Sequence, residues 1–477
     1  MVELVKIMNF YLTTPIYYSN DAPHLGHLST TIFADIIVRY HRLIGDNTLF
    51  LTGVDEHGEK IALTAEKAGK DPQTFVDEMA IRWQKYWKSL NVQNDIFMRT
   101  SDPRHKKIAQ ELLVKIKEKG DIYQGVYKGM YCTGCEEFKS ERELVNGTCP
   151  EHRPDQISYR EETNYFFKLS KYTPLVKKML EDGQIDLIPA GKKKEILSRL
   201  NDDITDLSVS REKVSWGITL PWDKSQTIYV WVEALMNYYS ATKIYDKESF
   251  WPASVHFLGK GNNWFHSVIW PALLLSCELP LPKRIFVHGY YNVEGVKMSK
   301  SLGNVISPDD LVGKFGVDGT RYLMCASEPY FEDFSVSKKW FDEVYNNDLA
   351  NGLGNLVSRV SKMASELNIS HKSDNDFNAV LEKYLDIKKG FEEYNLLSVV
   401  EKVRELITAT NEKLNKDEPW KLKGKEKEKS LKQAIDKILE ISLILTPVMP
   451  ATAKNIMDAF CREKITATKP LFVRLVS

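Results

Sequence analysis

The sequence predicts an α/β chain with a parallel sheet, interrupted by a cysteine-bearing insertion and followed by an all-α region. Three observations predict it. The chain opens with an aromatic and β-branched run, then a helical pattern, then a second apolar run. That alternation returns after a long stretch of different texture. From Trp340 onward, apolar residues recur almost wholly at helical spacing.

Residues 9–18, Asn-Phe-Tyr-Leu-Thr-Thr-Pro-Ile-Tyr-Tyr, read as a buried strand. The polar turn Ser19-Asn20-Asp21-Ala22-Pro23 follows. A helix is expected over about His27 to Leu43, with Ile32, Ile36 and Tyr40 on one face and Gly45 as its stop. Thr48 to Thr52 reads as the next strand, so the opening is a βαβ unit with parallel strands. Later, His256 to Gly259 and Arg284 to His288 read as short buried strands flanking a helix, Trp264 to Cys277. The expected organisation is therefore a first half of the sheet domain over 1–117, an insertion over 118–225, a second half over 226–325, a linker over 326–345 and a helical domain over 346–477. Within the insertion, Lys192-Lys193-Lys194 is expected on a solvated face. In the last region, Leu349, Leu353, Leu356, Val357 and Val360 mark one amphipathic face. Leu397, Val400, Val403, Leu406 and Ile407 mark another, as in a helical bundle. The charged stretch Lys421 to Lys432 is expected to be a mobile loop.

Composition bounds the function. Hydrophobic residues make up 43% and charged residues 27% of 477, which suits a globular chain with a full core. Formal net charge is zero, which neither supports nor excludes a nucleic-acid partner, since positive charge can be confined to one face. Six cysteines are too few for a disulfide scaffold in a chain this long, and a reducing compartment is expected. The first residues show no targeting pattern, and the longest apolar run, Ile438 to Met449, is too short to span a bilayer. A cytoplasmic protein without a membrane partner is expected.

Three segments carry chemistry. His24-Leu25-Gly26-His27 lies between a strand and a helix. There, unpaired N–H groups and the helix dipole favour a phosphate chain, imidazoles can donate to its oxygens, and Gly26 lets an adenine approach the backbone. Lys297-Met298-Ser299-Lys300-Ser301 is a loop between Gly295 and Gly303, and Ser307-Pro308 then starts a helix. Its lysines can offset charge developing at an α-phosphorus. Finally, Cys132-Thr-Gly-Cys135 and Cys149-Pro-Glu-His152 are two ligand pairs able to close a tetrahedron of the kind zinc accepts, with all four positions filled by protein.

The first two segments together resemble the paired signatures of class I aminoacyl-tRNA synthetases, in order, separation and strand context. The resemblance narrows to the methionyl-tRNA synthetase family over nearly the whole chain. Its carriers are Thr14-Pro15-Ile16-Tyr17-Tyr18 through His27, Thr52-Gly53-Val54-Asp55-Glu56-His57-Gly58, Tyr229 to Leu235 with Tyr238, and Phe265-His266-Ser267 with Trp270-Pro271-Ala272. The zinc spacing resembles that family's single-knuckle form. The resemblance implies a Rossmann-type catalytic domain split by a zinc-knuckle insertion and followed by a helical anticodon-binding domain.

It also implies a division of residues. His24, Gly26, His27, Lys297 and Lys300 would bind ATP, with the two histidines and two lysines acting in catalysis. Ile16, Tyr18, Asp55, Trp231, Ala234, Leu235, Tyr238, Asn262 and His266 would bind methionine, Asp55 pairing with its ammonium group. Aromatic walls suit a polarizable thioether. Asn351, Asn355, Arg359, Pro419 and Trp420 would read the anticodon, against the alternative that Trp420 is a core residue. The implied reaction is adenylation of L-methionine by ATP with Mg2+, then transfer to tRNA(Met), serving initiation and elongation. Because the bundle ends close to Ser477, without a dimerising appendage, a monomer is expected. One position departs from the family: after Gly259-Lys260 it carries an aspartate, and this chain has Gly261. The acid's role is then met by another residue, dispensed with, or lost.

Overall fold

The computed structural model describes residues 7–139, 143–150, 154–297, 306–330, 332–372 and 376–475. Its centre is a six-stranded parallel sheet. In chain order the strands are β1 (Asn9–Tyr18), β2 (Asn47–Asp55), β3 (Ile96–Arg99), β4 (Asp186–Ile188), β5 (Val255–Gly259) and β6 (Arg284–His288). Their spatial order is β3-β2-β1-β5-β6-β4. The β1–β2 register shifts between Thr13 and Ile16, where Pro15 has no N–H to give the ladder. The helix after β1 runs Leu25–Leu43, close to expectation.

The two faces of the sheet belong to different cores. One joins Phe10, Leu12 and the Leu25–Leu43 helix to bundle residues as distant as Leu445 and Phe472. The other joins Tyr11, Leu49 and Leu51 to insertion residues such as Val176 and to Trp270. This follows from strand geometry, since successive side chains point to opposite faces.

The insertion is built on a long antiparallel hairpin, Ile122–Cys132 against Ile157–Phe167, in a four-stranded sheet. Two stretches that the sequence places outside the catalytic sheets contribute to them. Asp186–Ile188, inside 118–225, pairs with β6 as an edge strand. Phe334–Val336, inside the 326–345 linker, pairs in parallel with Tyr291–Val293.

Other expectations are corrected. Lys192 is not on a solvated face: it is 5% exposed, and its ammonium pairs with Glu195 at 2.7 Å. The Lys421–Lys432 stretch is largely helix, because Gly424–Leu445 is one helix whose early turns carry pairs such as Glu428–Lys432, 2.7 Å. The helix expected over Trp264 to Cys277 is present, but it opens with a π-turn, Phe265–Ile269, before the α-helix Trp270–Ser276. Pro271 has no N–H for an α-type bond, which accounts for the widened turn.

The C-terminal region is helical, as expected, from Lys338–Val344 to Pro450–Phe460. It is tied to the sheet domain by Arg321, on the helix Pro308–Ala326. The guanidinium is fully buried, lies 2.7 Å from Asp35 and donates to the carbonyls of Pro447 (3.0 Å) and Val448 (2.8 Å). Among the described residues, no helix is long and apolar enough to cross a membrane.

Candidate active site

The chain leaves β1 toward β2 on one side, and leaves β5 toward β6 on the other. The carboxyl ends of β1 and β5 therefore flank a crevice where the strand order reverses, the place an open α/β sheet offers to a ligand. A cavity of about 430 Å³ opens there. Every residue singled out for methionine lines it: Ile16, Tyr18, Asp55, Trp231, Ala234, Leu235, Tyr238, Asn262 and His266. His24, Gly26 and His27 line the same space.

At the helix start, His24 is the N-cap. Its ring accepts from the Gly26 N–H at 3.1 Å, and its own N–H donates to His27 Nδ1 at 3.3 Å. The two imidazoles stack with centroids 3.7 Å apart. Tyr17 and Trp83 pack against His27, at 4.8 and 5.2 Å. Burial, and then the neighbouring His24, push His27 well below the usual histidine range, so it presents neutral N–H chemistry.

The lysine loop is described only at its root. Val296–Lys297 forms a short strand antiparallel to Tyr291–Val293. The segment then leads to Ser307, whose hydroxyl caps the next helix by accepting from Asp309 N–H at 3.2 Å. Lys300 lies outside the described residues.

The pocket wall at His266 is fixed by hydrogen bonds to a buried phenol and a half-buried loop. Tyr238 Oη lies 2.8 Å from His266 Nε2, and His266 Nδ1 lies 3.0 Å from the Asn262 carbonyl. A carbonyl can only accept, so Nδ1 carries the proton, and Nε2 accepts from the phenol. Burial pushes His266 down to about 4, so it is neutral at pH 7. Trp231 stacks on Phe265, centroids 4.4 Å apart.

Asp55, at the end of β2, is buried. Burial, then the nearby Glu233 carboxylate, push its carboxyl well up. A cation placed beside it would relieve both effects, which is what an ammonium-binding carboxylate needs. Glu233 has its own partners: burial alone would raise it, but His57 at 2.6 Å and His105 at 3.0 Å hold it below the usual range.

The hairpin brings three thiols together. Cys132, Cys135 and Cys149 have sulfurs within 4.8 Å of one another, and Cys135 and Cys149 are 3.6 Å apart, so the cluster can hold a metal ion. His152 lies outside the described residues. The knuckle also touches the cavity wall. Glu136 is buried at positive φ and accepts from Tyr18 Oη and from the Lys60 N–H, the latter at 2.8 Å. Trp231 Nε1 donates to the Cys135 carbonyl at 3.3 Å.

Far from this cavity, Asn351 and Asn355 are exposed and Arg359 half-exposed along one helical stretch. Trp420 is 46% exposed, which removes the core-packing alternative, while Pro419 beside it is buried. Arg359 stands over the Trp420 ring, 5.7 Å from its centroid.

Sequence reasoning missed Glu136 and the segment His288-Gly289-Tyr290, which also lines the cavity. His288 bonds Thr30 Oγ1 at 2.7 Å, and burial pushes it down to about 4. The one available signal was position, since His288 ends a predicted strand beside the expected ligand crevice.

Comparison with known proteins agrees with this geometry. The family model described as tRNA synthetases class I (M) matches residues 10–158 and 153–361. Methionine–tRNA ligase from Thermotoga maritima is 41% identical over 94% of this chain and 75% of its own length. The Nostoc sp. methionine–tRNA ligase is 38% identical over 94% of this chain and 89% of its own. The structure of Mycobacterium tuberculosis methionyl-tRNA synthetase in complex with methionyl-adenylate superposes with a TM-score of 0.89. It has 32% identity, covering 95% of this chain and 94% of that one. With the two signature histidines and the aromatic pocket at one sheet switch point, the chain belongs to the methionyl-tRNA synthetase family of class I, and it is an aminoacyl-tRNA ligase that uses ATP.

Proposed function

We propose that the cavity at the β1–β5 switch point binds methionine and ATP side by side. There the methionine carboxylate attacks the α-phosphorus in line: a carboxyl O–P bond forms and the bond to pyrophosphate breaks. Methionyl-adenylate, the compound bound by the Mycobacterium tuberculosis relative, is the product of that step. The methionyl group then passes to tRNA(Met), releasing AMP. The observation that carries this reading is that one cavity is lined by all nine methionine positions and by His24, Gly26 and His27.

In this reading Asp55 takes the substrate ammonium. Trp231, Tyr238 and His266 enclose the thioether with Ile16, Tyr18, Ala234 and Leu235, while Asn262 orients His266 through its carbonyl. His24 and His27 hold the triphosphate, which arrives with magnesium. Lys297 and Lys300 offset the charge that grows at the α-phosphate. No covalent enzyme intermediate is needed, because positioning and charge stabilisation serve the displacement. The helical region reads the anticodon with Asn351, Asn355, Arg359, Pro419 and Trp420. The protein acts as a monomer in the cytoplasm. The deciding experiment is amino-acid-dependent pyrophosphate exchange across the twenty amino acids. Methionine alone should support it, and preference for another amino acid would defeat the assignment.

The donor set of the knuckle fits zinc. A tetrahedron with Zn–S bonds of about 2.3 Å has sulfur–sulfur edges of about 3.8 Å, close to the 3.6 Å between Cys135 and Cys149. Cys132, Cys135, Cys149 and His152 would hold one structural ion. Purified protein should carry one zinc per chain by elemental analysis, and Cys149→Ala should lose it and loosen the hairpin. Freshly purified protein without zinc would overturn the assignment.

A further inference from the structure

The turn that carries the second cysteine of the knuckle reaches two walls of the cavity from consecutive residues. The Cys135 carbonyl accepts from Trp231 Nε1 at 3.3 Å, and the Glu136 carboxylate accepts from the Tyr18 hydroxyl. Trp231 and Tyr18 line the cavity, and Glu136 does not. Glu136 sits between the strands Ile122–Cys132 and Glu137–Lys139, with φ 56°, and is 3% exposed. A carboxylate is rarely buried so fully without partners. Both of its oxygens are engaged. Oε1 accepts from the Lys60 N–H at 2.8 Å, in the first turn of the helix Glu59–Lys67, whose N-cap, Gly58, has no side chain to offer. Oε2 takes the Tyr18 hydroxyl.

The contact is built from more than one side. Gly58 has φ +105°, and a Cβ there would lie 2.5 Å from each Glu136 carboxylate oxygen and 2.6 Å from Tyr18 Oη. Glycine at 58 leaves the two side chains room to meet. The phenol has a second acceptor in the His57 carbonyl, at 3.1 Å, and Lys60 Nζ stands 5.6 Å from the ring centroid. Tyr18 ends β1, and the Glu59–Lys67 helix starts shortly after Asp55 ends β2. Glu136 thus ties the end of one strand to the connection that leaves the other.

We propose that Glu136 is a positioning residue: from the cysteine knuckle it seats the Tyr18 ring, and through that ring it sets the affinity of the cavity for its amino-acid substrate. This rests on the reading of Tyr18 as a wall of the methionine pocket. A bond from the phenol to a carboxylate is strong and directional, and a small side chain is bound well only by walls fixed before it arrives.

The test is a double-mutant cycle in methionine-dependent pyrophosphate exchange. Glu136→Ala should raise KM for methionine about tenfold and change kcat by less than about twofold, as expected for a loss of ground-state binding. In a Tyr18→Phe background the same substitution should raise KM by no more than about twofold. Glu136→Gln should stay within about threefold of wild type. Its amide can accept from the Lys60 N–H and donate to the phenol, which then gives its proton to the His57 carbonyl. If Glu136→Ala does not fold, Glu136→Met, which keeps the length of the side chain without its polar atoms, takes its place in the cycle. An unchanged KM with only a lower melting temperature would overturn the proposal, leaving Glu136 a purely structural residue. So would equal losses in both Tyr18 backgrounds, or a Glu136→Gln no better than Glu136→Ala. Were wild type to use another amino acid, the methionine reading of the cavity would fail, and the same cycle in that amino acid's KM would still decide the coupling.

Discussion

The pocket wall at His266 and the exposed face at Trp420 both present rings and polar groups, but they are held differently. Around His266 each ring nitrogen has a fixed partner, the Tyr238 phenol and the Asn262 carbonyl, and both rings are buried. At Trp420 the indole is 46% exposed, and Arg359 stands over it with its guanidinium 3.3 Å from Asn415 Oδ1. The first surface is finished before substrate arrives, as binding a small unbranched side chain requires. The second leaves nearly half of its ring surface in solvent beside the Arg359 guanidinium, which suits the stacking on a splayed base proposed for it. Rigidity and exposure thus separate the two proposed recognition tasks between two parts of one chain.

Mutations can break that comparison. The largest effect is expected for Lys300→Ala, which should cut pyrophosphate exchange by about 10²-fold or more, because a transition-state lysine contributes several kcal/mol. Aminoacylation should fall with it. Near-normal exchange in the folded variant would remove the lysine loop from the cavity's chemistry. Next comes Trp420→Ala. Losing base stacking of about 1–3 kcal/mol should lower kcat/KM for tRNA by about 10-fold to 100-fold. Exchange without tRNA and thermal stability should hardly change. Matching losses in both assays would place Trp420 with the catalytic half.

The smallest effect sharpens the comparison through pH. His266 is held at about 4 in the folded protein, against about 6.5 for a free histidine. Its folded pKa is depressed, so the unfolded chain binds the proton more readily. Its contribution is complete above about pH 6.5 and is lost as pH falls toward 4. Between pH 7 and 5.5 it should remove about 1 kcal/mol of stability. His266→Gln should reduce the acid slope of unfolding free energy by that amount, while Trp420→Ala leaves the slope unchanged. Parallel pH profiles for wild type and His266→Gln would show that the ring is not held neutral by burial.

Much of this was legible in the sequence because it was local. The turn before the first helix and the paired cysteines each lie within a few residues, where spacing speaks, and the aromatic run Tyr229 to Tyr238 was legible through the family resemblance. What the sequence hid was tertiary. Tyr290 lines the cavity, yet no local pattern around it marks it as a site residue. Glu136 matters because the knuckle folds back onto Tyr18. Lys192 reads as surface by charge, yet folding covers its stem while its ammonium reaches Glu195. Asp186–Ile188 is too short to show an alternation. Charge density suggested a loop over Lys421–Lys432 where helical pairing gives order.

The apolar core on one face of the sheet has a thermodynamic consequence. It runs without a break from Phe10 and the Leu25–Leu43 helix into Leu445 and Phe472, and buried Arg321 pins Asp35 to the carbonyls of Pro447 and Val448. Sheet and bundle therefore have no separate cores to melt one after the other on that side. The helical region proposed to meet tRNA and the helix that begins at His24 and His27 share a single cooperative unfolding unit. A bundle cut free of the sheet would expose the half of a core that the sheet supplies to it.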